Sequence, residues 1–407
     1  MSARGPTGDL APMVTAILAD PIRPAPLELP RPADLPAATE PLATGAVRLL
    51  SGPTGLGTSA ARPMARPGAG AEPPVSTPET PPLADDAEAD DGAPSLYCPG
   101  AVRDDELLGE TVNEELVAWA EQVGIYPGQL DRVRAANFGR LMMLTHPATE
   151  DPDRLLAAAR CVLAEWATDD HFLDDESLGA DAATIGSRMG VAYAAIDPAN
   201  LPVGYADQLD RALAGEPVAA AYQSAFAHLA RYANATQVAR LRHELAVMFM
   251  AYNQEAAWRV AGHTPAVWEY LTHRSENSFL PPMVLVDPIA GYEVPAFEFA
   301  DGRVRRVFAI AGLASVILND LYSMGKESDT DFDLPKVLAH EEHCSLREAV
   351  ERSVEIHNEL MHTFVEEASA LSLVGSLPLR RFLADIWAWL GGNREWHSTT
   401  ARYAATA

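Results

Sequence analysis

The chain has 407 residues and sets 30 Lys and Arg against 57 Asp and Glu, a formal net charge of -27. That balance argues against a nucleic-acid partner or an anionic membrane surface, both of which need a basic face. Cys98, Cys161 and Cys344 are too few and too scattered for a disulfide framework or zinc ribbon, and no run approaches the roughly 18 apolar residues of a membrane-spanning helix.

Along the chain, composition divides first. Of the 32 prolines, 19 fall in residues 1–100 and 13 in the remaining 307. Residues 1–95 therefore read as a disordered Pro/Ala/Gly-rich leader, where Pro21-Ile22-Arg23-Pro24-Ala25-Pro26 and Pro73-Pro74 block helices and the acidic stretch 85–91 adds self-repulsion. Asp9 and Pro12 interrupt any apolar run, so the beginning does not read as a signal peptide. A cytoplasmic protein is expected. The glycine-rich run 52–59 lacks the lysine and the preceding strand of a phosphate loop.

From residue 96 to 407 the pattern becomes helical. Apolar stripes at spacings of three and four run through Glu114–Val123, Asp153–Trp166, Gln237–Arg259, Val304–Met324 and Leu346–Leu371. Pro281-Pro282 should break a helical segment. Alternating runs typical of strands are nearly absent, so the domain 96–407 is expected to be all-α. His340-Glu341-Glu342-His343-Cys344 has its histidines three apart, where a metalloprotease motif needs four, and reads as a surface helix.

Two polar patches interrupt these apolar helices. Asp169-Asp170-His171-Phe172-Leu173-Asp174-Asp175-Glu176 places five carboxylates in eight residues. By this reading it lies at a helix C-terminus, where the macrodipole disfavours anions. Asp170 and Asp174 share a face with Asp169 beside them, and three such groups suit a hard divalent cation such as Mg2+. The second patch sets Asn319, Ser323 and Glu327 at i, i+4 and i+8, a line of oxygen donors continuing an apolar segment. Each patch alone also fits a solvated helix surface.

Together they resemble class I terpene synthases, which carry an aspartate-rich motif and a second motif of the form NDxxSxxxE. Both stand here in order, as Asp169-Asp170-His171-Phe172-Leu173-Asp174 and Asn319 to Glu327. Arg274, 45 residues before Asn319, matches the family's diphosphate-sensing arginine, and Arg402-Tyr403 matches its terminal Arg-Tyr pair. The resemblance implies an α-helical bundle around an apolar cavity. It also implies three Mg2+ held by Asp169, Asp170 and Asp174 on one wall and Asn319, Ser323 and Glu327 on the other, with Arg274, Arg402 and Tyr403 binding diphosphate. Such cations supply what so acidic a chain lacks. Dimers are common in the family.

The segments Gly124-Ile125-Tyr126-Pro127-Gly128, Ala251 to Arg259 and Trp387 to Gly392 are similar to the bacterial members that form 2-methylisoborneol. That closer resemblance implies cyclisation of 2-methylgeranyl diphosphate, supplied by a geranyl diphosphate C-methyltransferase, with water capturing the 2-methylbornyl cation. Proton loss from the same cation would give 2-methylenebornane. Aromatic faces stabilise such cations, and the candidates are Phe138, Phe172, Phe279, Trp389, Trp396 and Tyr403. The break at Pro281-Pro282, just after Arg274, is a place to couple diphosphate binding to closure. A prenyltransferase, another mono- or sesquiterpene cyclase, and a helical scaffold using its proline-rich leader as a ligand remain as other readings.

Overall fold

A computed structural model describes residues 10–24, 94–324 and 332–400; these fall in one compact unit. Glu327, Arg402, Tyr403 and the run 52–59 lie outside the described residues. The chain order is α1 (Ala11–Ala19), α2 (Glu106–Val123), α3 (Leu130–Ala136), α4 (Phe138–Thr145), α5 (Pro152–Asp169), α6 (Ile185–Ile196), α7 (Val203–Ala214), α8 (Pro217–Leu229) and α9 (Ala235–Ala261). It continues with α10 (Val267–Glu276), the short turns α11 (Leu280–Met283), α12 (Val286–Ile289) and α13 (Ala296–Phe299), then α14 (Gly302–Ser323), α15 (Leu334–Glu342), α16 (Leu346–Val374) and α17 (Leu377–Thr399). Among the described residues the one β pairing is a parallel bridge between Ile22 and Tyr97. The all-α expectation holds.

Local chemistry sets the helix ends. Asp105 caps α2 by accepting from the Leu108 N–H, and Gly124, at φ 77°, ends that helix in the left-handed conformation. Asn234 with Gln237 and Ser345 with Glu348 form reciprocal capping boxes on α9 and α16. Pro152 sits in the first turn of α5, where its missing N–H costs nothing. The proline pair at 281–282 does break the chain: α10 stops at Glu276, and Pro281 and Pro282 enter the first turn of α11. His340–Glu342 closes α15 on the surface and His343 is its left-handed cap, as the surface reading expects.

α14 runs through the middle of the bundle against α10, α16 and α17, while α5 packs on α2, α4 and α8. One apolar core joins α2, α4, α5, α8, α9, α14 and α17. Gly391 and Gly392 let α17 come close to neighbouring backbone; a Cβ on Gly392 would lie about as near the Leu144 carbonyl as 2.5 Å. This closeness places Trp389 and Trp396, one turn to either side, in the interior.

The leader expectation needs correction at its start. Residues 11–19 form a helix, and Ile17 and Leu18 are buried against Leu318 and Leu321 of α14 and Val350 and Val354 of α16. Arg394 of α17 donates to the Leu18 carbonyl at 3.0 Å, and the Cys98 N–H donates to the Ile22 carbonyl at 3.2 Å. The proline count obscured a short apolar run, Met13 to Leu18, long enough for two turns that gain their stability from the docking surface.

Candidate functional site

The aspartate-rich patch lies where α5 ends, as expected, but the backbone there is not α-helical. Residues Asp170–Asp174 form a single π turn, closed by the Asp175 N–H donating to the Asp170 carbonyl at 2.9 Å. On an α-helix, positions five apart lie about 140° from each other. The wider π turn closes i to i+5 and brings such positions onto one face. Asp169 and Asp174 thereby come within electrostatic reach of one another and of Glu255 on α9.

Asp170 goes elsewhere. It is buried, accepts from Arg132 Nη2 at 2.8 Å and from the Tyr126 hydroxyl at 2.6 Å. Tyr126 reaches it from a backbone with φ 54°. The expected face shared by Asp170 and Asp174 assumed regular α geometry; the π turn adds Asp169 beside Asp174, while Arg132 and Tyr126 engage the Asp170 carboxyl. Among the described residues, no three or more His, Cys, Asp or Glu side chains already converge as a metal cluster.

Burial, together with Asp174, Glu255 and Asp170, pushes the Asp169 carboxyl well above the usual carboxylate range. Burial, opposed by Arg259 and aided by Glu255, brings Asp174 up to about 6 although its side chain keeps a solvent-facing edge. Arg259 bridges the group, 2.9 Å from Asp174 and 2.6 Å from Glu255. Burial opposes ionisation of Glu255, yet His273 and Arg259 hold it down at about 2. Carboxylates so crowded, in an oxygen-only donor set, fit a hard divalent cation, which would relieve their repulsion.

The second polar patch is the end of α14. Asn319 and Ser323 lie one turn apart there, with Ser323 buried. The Arg274 guanidinium donates to Asp320 at 2.6 Å and to Asn319 Oδ1 at 3.4 Å. Asp320 also accepts from the Tyr270 hydroxyl at 2.9 Å and the Leu334 N–H at 3.2 Å, so it is an internal anchor for Arg274. On α17, His397 Nδ1 lies 2.8 Å from the Asn393 carbonyl and must donate to it. Its Nε2 then accepts from Asn319 Nδ2 at 3.0 Å. That bond orients the Asn319 amide with its oxygen toward Arg274.

The aromatic candidates divide. Phe279 and Trp389 have ring centroids 5.6 Å apart; Phe138 and Trp396 stack at 5.7 Å. Trp166 joins the pairs, 5.7 Å from Phe279, 4.8 Å from Phe138 and 6.2 Å from Trp396. The Trp396 N–H donates to the Ala136 carbonyl at 2.9 Å, which fixes its ring. Phe172 does not belong with them: it is buried under the Arg188 guanidinium, 4.2 Å from its ring centre. A position inside the aspartate motif suggested the cavity, but the π turn rotates Phe172 toward α6. Sequence reasoning missed Trp166, Glu255, Arg259 and His397. Trp166 had a signal, since it lies three residues before Asp169 on the same helix.

Comparison with known proteins is consistent with this geometry. Residues 161–363 match the family described as terpene synthase family 2, C-terminal metal binding. The chain is 38% identical over 384 residues to a 2-methylisoborneol synthase of Streptomyces ambofaciens, covering 91% of this chain and 84% of that one. It is 27% identical to a 4-epi-cubebol synthase of Streptosporangium roseum, over 74% of this chain and 86% of the other. The fold is similar to the crystal structure of 2-methylisoborneol synthase from Streptomyces coelicolor A3(2) in complex with Mg2+ and 2-fluoroneryl diphosphate. That similarity has TM-score 0.73 and 36% identity, and covers 78% of this chain and 98% of that one.

Proposed function

The chain belongs to the class I terpene synthases, in the group of the 2-methylisoborneol synthases, and from that premise we propose that it cyclises 2-methylgeranyl diphosphate to 2-methylisoborneol with release of diphosphate. It is a terpene cyclase, a carbon–oxygen lyase. The observation that carries the substrate is the 38% identity to the Streptomyces ambofaciens enzyme across 91% of this chain. The two polar patches and the aromatic cluster of Phe138, Trp166, Phe279, Trp389 and Trp396 support it.

In this reading Asp169 and Asp174 would hold Mg2+ at the end of α5, and Asn319, Ser323 and Glu327 would do so at the end of α14; three ions in all follow the family pattern. Bound there, Mg2+ would stabilise charge on the departing diphosphate oxygens. Asp170, tied to Arg132 and Tyr126, fixes the π turn. Arg274, anchored by Asp320, donates charge-assisted hydrogen bonds to diphosphate, and Arg402 and Tyr403 add to this from beyond α17. The allylic C–O bond breaks, diphosphate returns to the tertiary carbon, and a second ionisation allows closure through the 2-methyl-α-terpinyl and 2-methylbornyl cations. The faces of Phe138, Trp166, Phe279, Trp389 and Trp396 stabilise these cations while offering no nucleophile.

The substrate's extra methyl group requires a C-methyltransferase acting on geranyl diphosphate upstream. No described helix is long and apolar enough to cross a membrane, in keeping with a cytoplasmic enzyme. The direct test incubates the full chain with Mg2+ and 2-methylgeranyl, geranyl or farnesyl diphosphate, then follows released diphosphate and volatile products by gas chromatography. A C11 alcohol from the methylated substrate is expected, lost on chelation. Turnover confined to farnesyl diphosphate, or chain-elongated products, would overturn the assignment.

A further inference from the structure

Asn393 of α17 carries an amide that the packing leaves unused. The residue is fully buried, and among the described residues neither its Oδ1 nor its Nδ2 has a hydrogen-bond partner. An unpaired buried amide costs free energy and calls for a reason. The helix itself supplies none. Asn is a weaker helix former than Leu, whose branched side chain has a similar shape. Nor does Asn393 cap an end, since α17 runs on to Thr399. Its backbone carbonyl is engaged, accepting from His397 Nδ1 at 2.8 Å; its side chain is not.

Its neighbours on α17 show where the amide lies. Trp389 stands one turn before Asn393 and His397 one turn after it. Both meet the same ring: the Phe279 centroid is 5.6 Å from Trp389 and 5.8 Å from His397. Positions four apart on an α-helix differ by about 40° around the axis. Asn393 is therefore midway between two side chains that converge on Phe279, and it enters the same interior. His397 also meets Asn319 of α14 at 3.0 Å, so this face of α17 joins the aromatic cluster to the end of α14. The face carries a second unused polar atom. The Trp389 indole N–H is buried and has no partner among the described residues. Helical side chains lean toward the N-terminus, which carries the amide toward Trp389. An indole N–H, an amide NH2 and an amide oxygen in apolar surroundings give one water molecule the polar partners it needs.

We propose that Asn393, with the Trp389 N–H, holds the water that captures the final cation. The inference rests on the reading of the product as an alcohol and names the residues that deliver its oxygen. The water donates one O–H to Asn393 Oδ1 and accepts from an N–H, which leaves it one lone pair for the cationic carbon. That pair forms the new C–O bond. The other O–H bond breaks, and its proton passes to the released diphosphate, the base that ionisation itself generates. Cation, water and diphosphate give alcohol and protonated diphosphate, with no other reactant. A neutral amide suits the task, because it binds water without placing a full charge beside the cation.

The test compares wild type with Asn393→Leu, Asn393→Ser and Trp389→Phe, each as the full chain with Mg2+ and 2-methylgeranyl diphosphate. The readout is the ratio of C11 alcohol to C11 hydrocarbon, which separates water delivery from the rate of ionisation. Leu removes the amide's hydrogen bonds in a similar shape and should lower the ratio at least about tenfold. Ser keeps a group that donates and accepts, and should fall between Leu and wild type. Trp389→Phe keeps an aromatic face without the N–H and should lower the ratio about threefold. An unchanged ratio in the Leu variant would overturn the role of Asn393, even if that variant melts lower, since the amide would then be structural. Should the Leu variant form no product, an unchanged ratio in the Ser variant overturns it equally. Wild type that releases diphosphate without forming any alcohol would instead overturn the product reading.

Discussion

Adjacent aspartates at the end of α5 carry different tasks. Asp169 is crowded by Asp174 and Glu255, whereas Asp170 is buried with Arg132 and Tyr126. Asp169→Asn should cut Mg2+-dependent turnover by about 10²-fold or more, since a ligand is lost where transition-state charge is stabilised, while the melting temperature holds or rises because repulsion is relieved. Asp170→Asn should act in the opposite way. It leaves Arg132 beside a neutral amide and should cost about 1–3 kcal/mol of stability, with a smaller loss of turnover that follows the loosened turn. Steady-state rates and thermal unfolding on the same two proteins check both; equal effects would refute the division of roles. At the end of α14, Asn319→Ala and Ser323→Ala should each lose most turnover yet unfold like wild type. Asn319 contacts Arg274 and His397 at the edge of the core, and Ser323 bonds only to the Asp320 carbonyl among the contacts described. Wild-type rates in both would remove the second metal wall.

Among the elements, the break between α10 and α11 and the contact of α17 with α4 are the two that position the site. Arg274 sits in the last turn of α10, two prolines follow in α11, and Phe279 between them faces Trp166 and Trp389. Engaging diphosphate through Arg274 should therefore slow hydrogen exchange across residues 270–285 when Mg2+ and inorganic pyrophosphate are added; unchanged exchange there would refute the coupling. Gly392→Ala places a methyl group against the Leu144 carbonyl and should cost about 1–3 kcal/mol by overpacking, read as a lower melting temperature. The five long helices, both polar walls and the proline break could be read from the sequence because each has a periodic or steric signature. The π turn could not, since its residues fit an α-helix equally well and only packing selects the wider winding. That one turn is why Phe172 was placed in the cavity; Asp170 was read as a ligand because its distant partners, Arg132 and Tyr126, leave no trace in the spacing of the motif. His397 was opaque for a related reason: its meaning depends on the distant helix it faces, α14.

At the scale of the whole molecule, the boundary between leader and domain lies inside what composition treats as one region. Counting prolines gives a leader ending near residue 95 and predicts that removing it is harmless. Yet α1 docks Ile17 and Leu18 on α14 and α16, a few residues from Ser323, and ties its C-terminal end to Arg394 of α17. Two truncations separate the contributions. Excising residues 31–92 while keeping 1–30 should leave stability and turnover within about twofold, because that stretch is rich in Pro, Ala and Gly and low in large apolar residues. Removing residues 1–30 uncovers the apolar patch of Leu318, Leu321, Val350 and Val354. At about 1.5–3 kcal/mol for each buried Ile or Leu, the loss should be several kcal/mol and a clear fall in melting temperature. Because that patch backs the end of α14, the Mg2+ concentration needed for half-maximal rate should rise as well. A protein lacking residues 1–30 that melts and turns over like the full chain would show that α1 does not stabilise this domain.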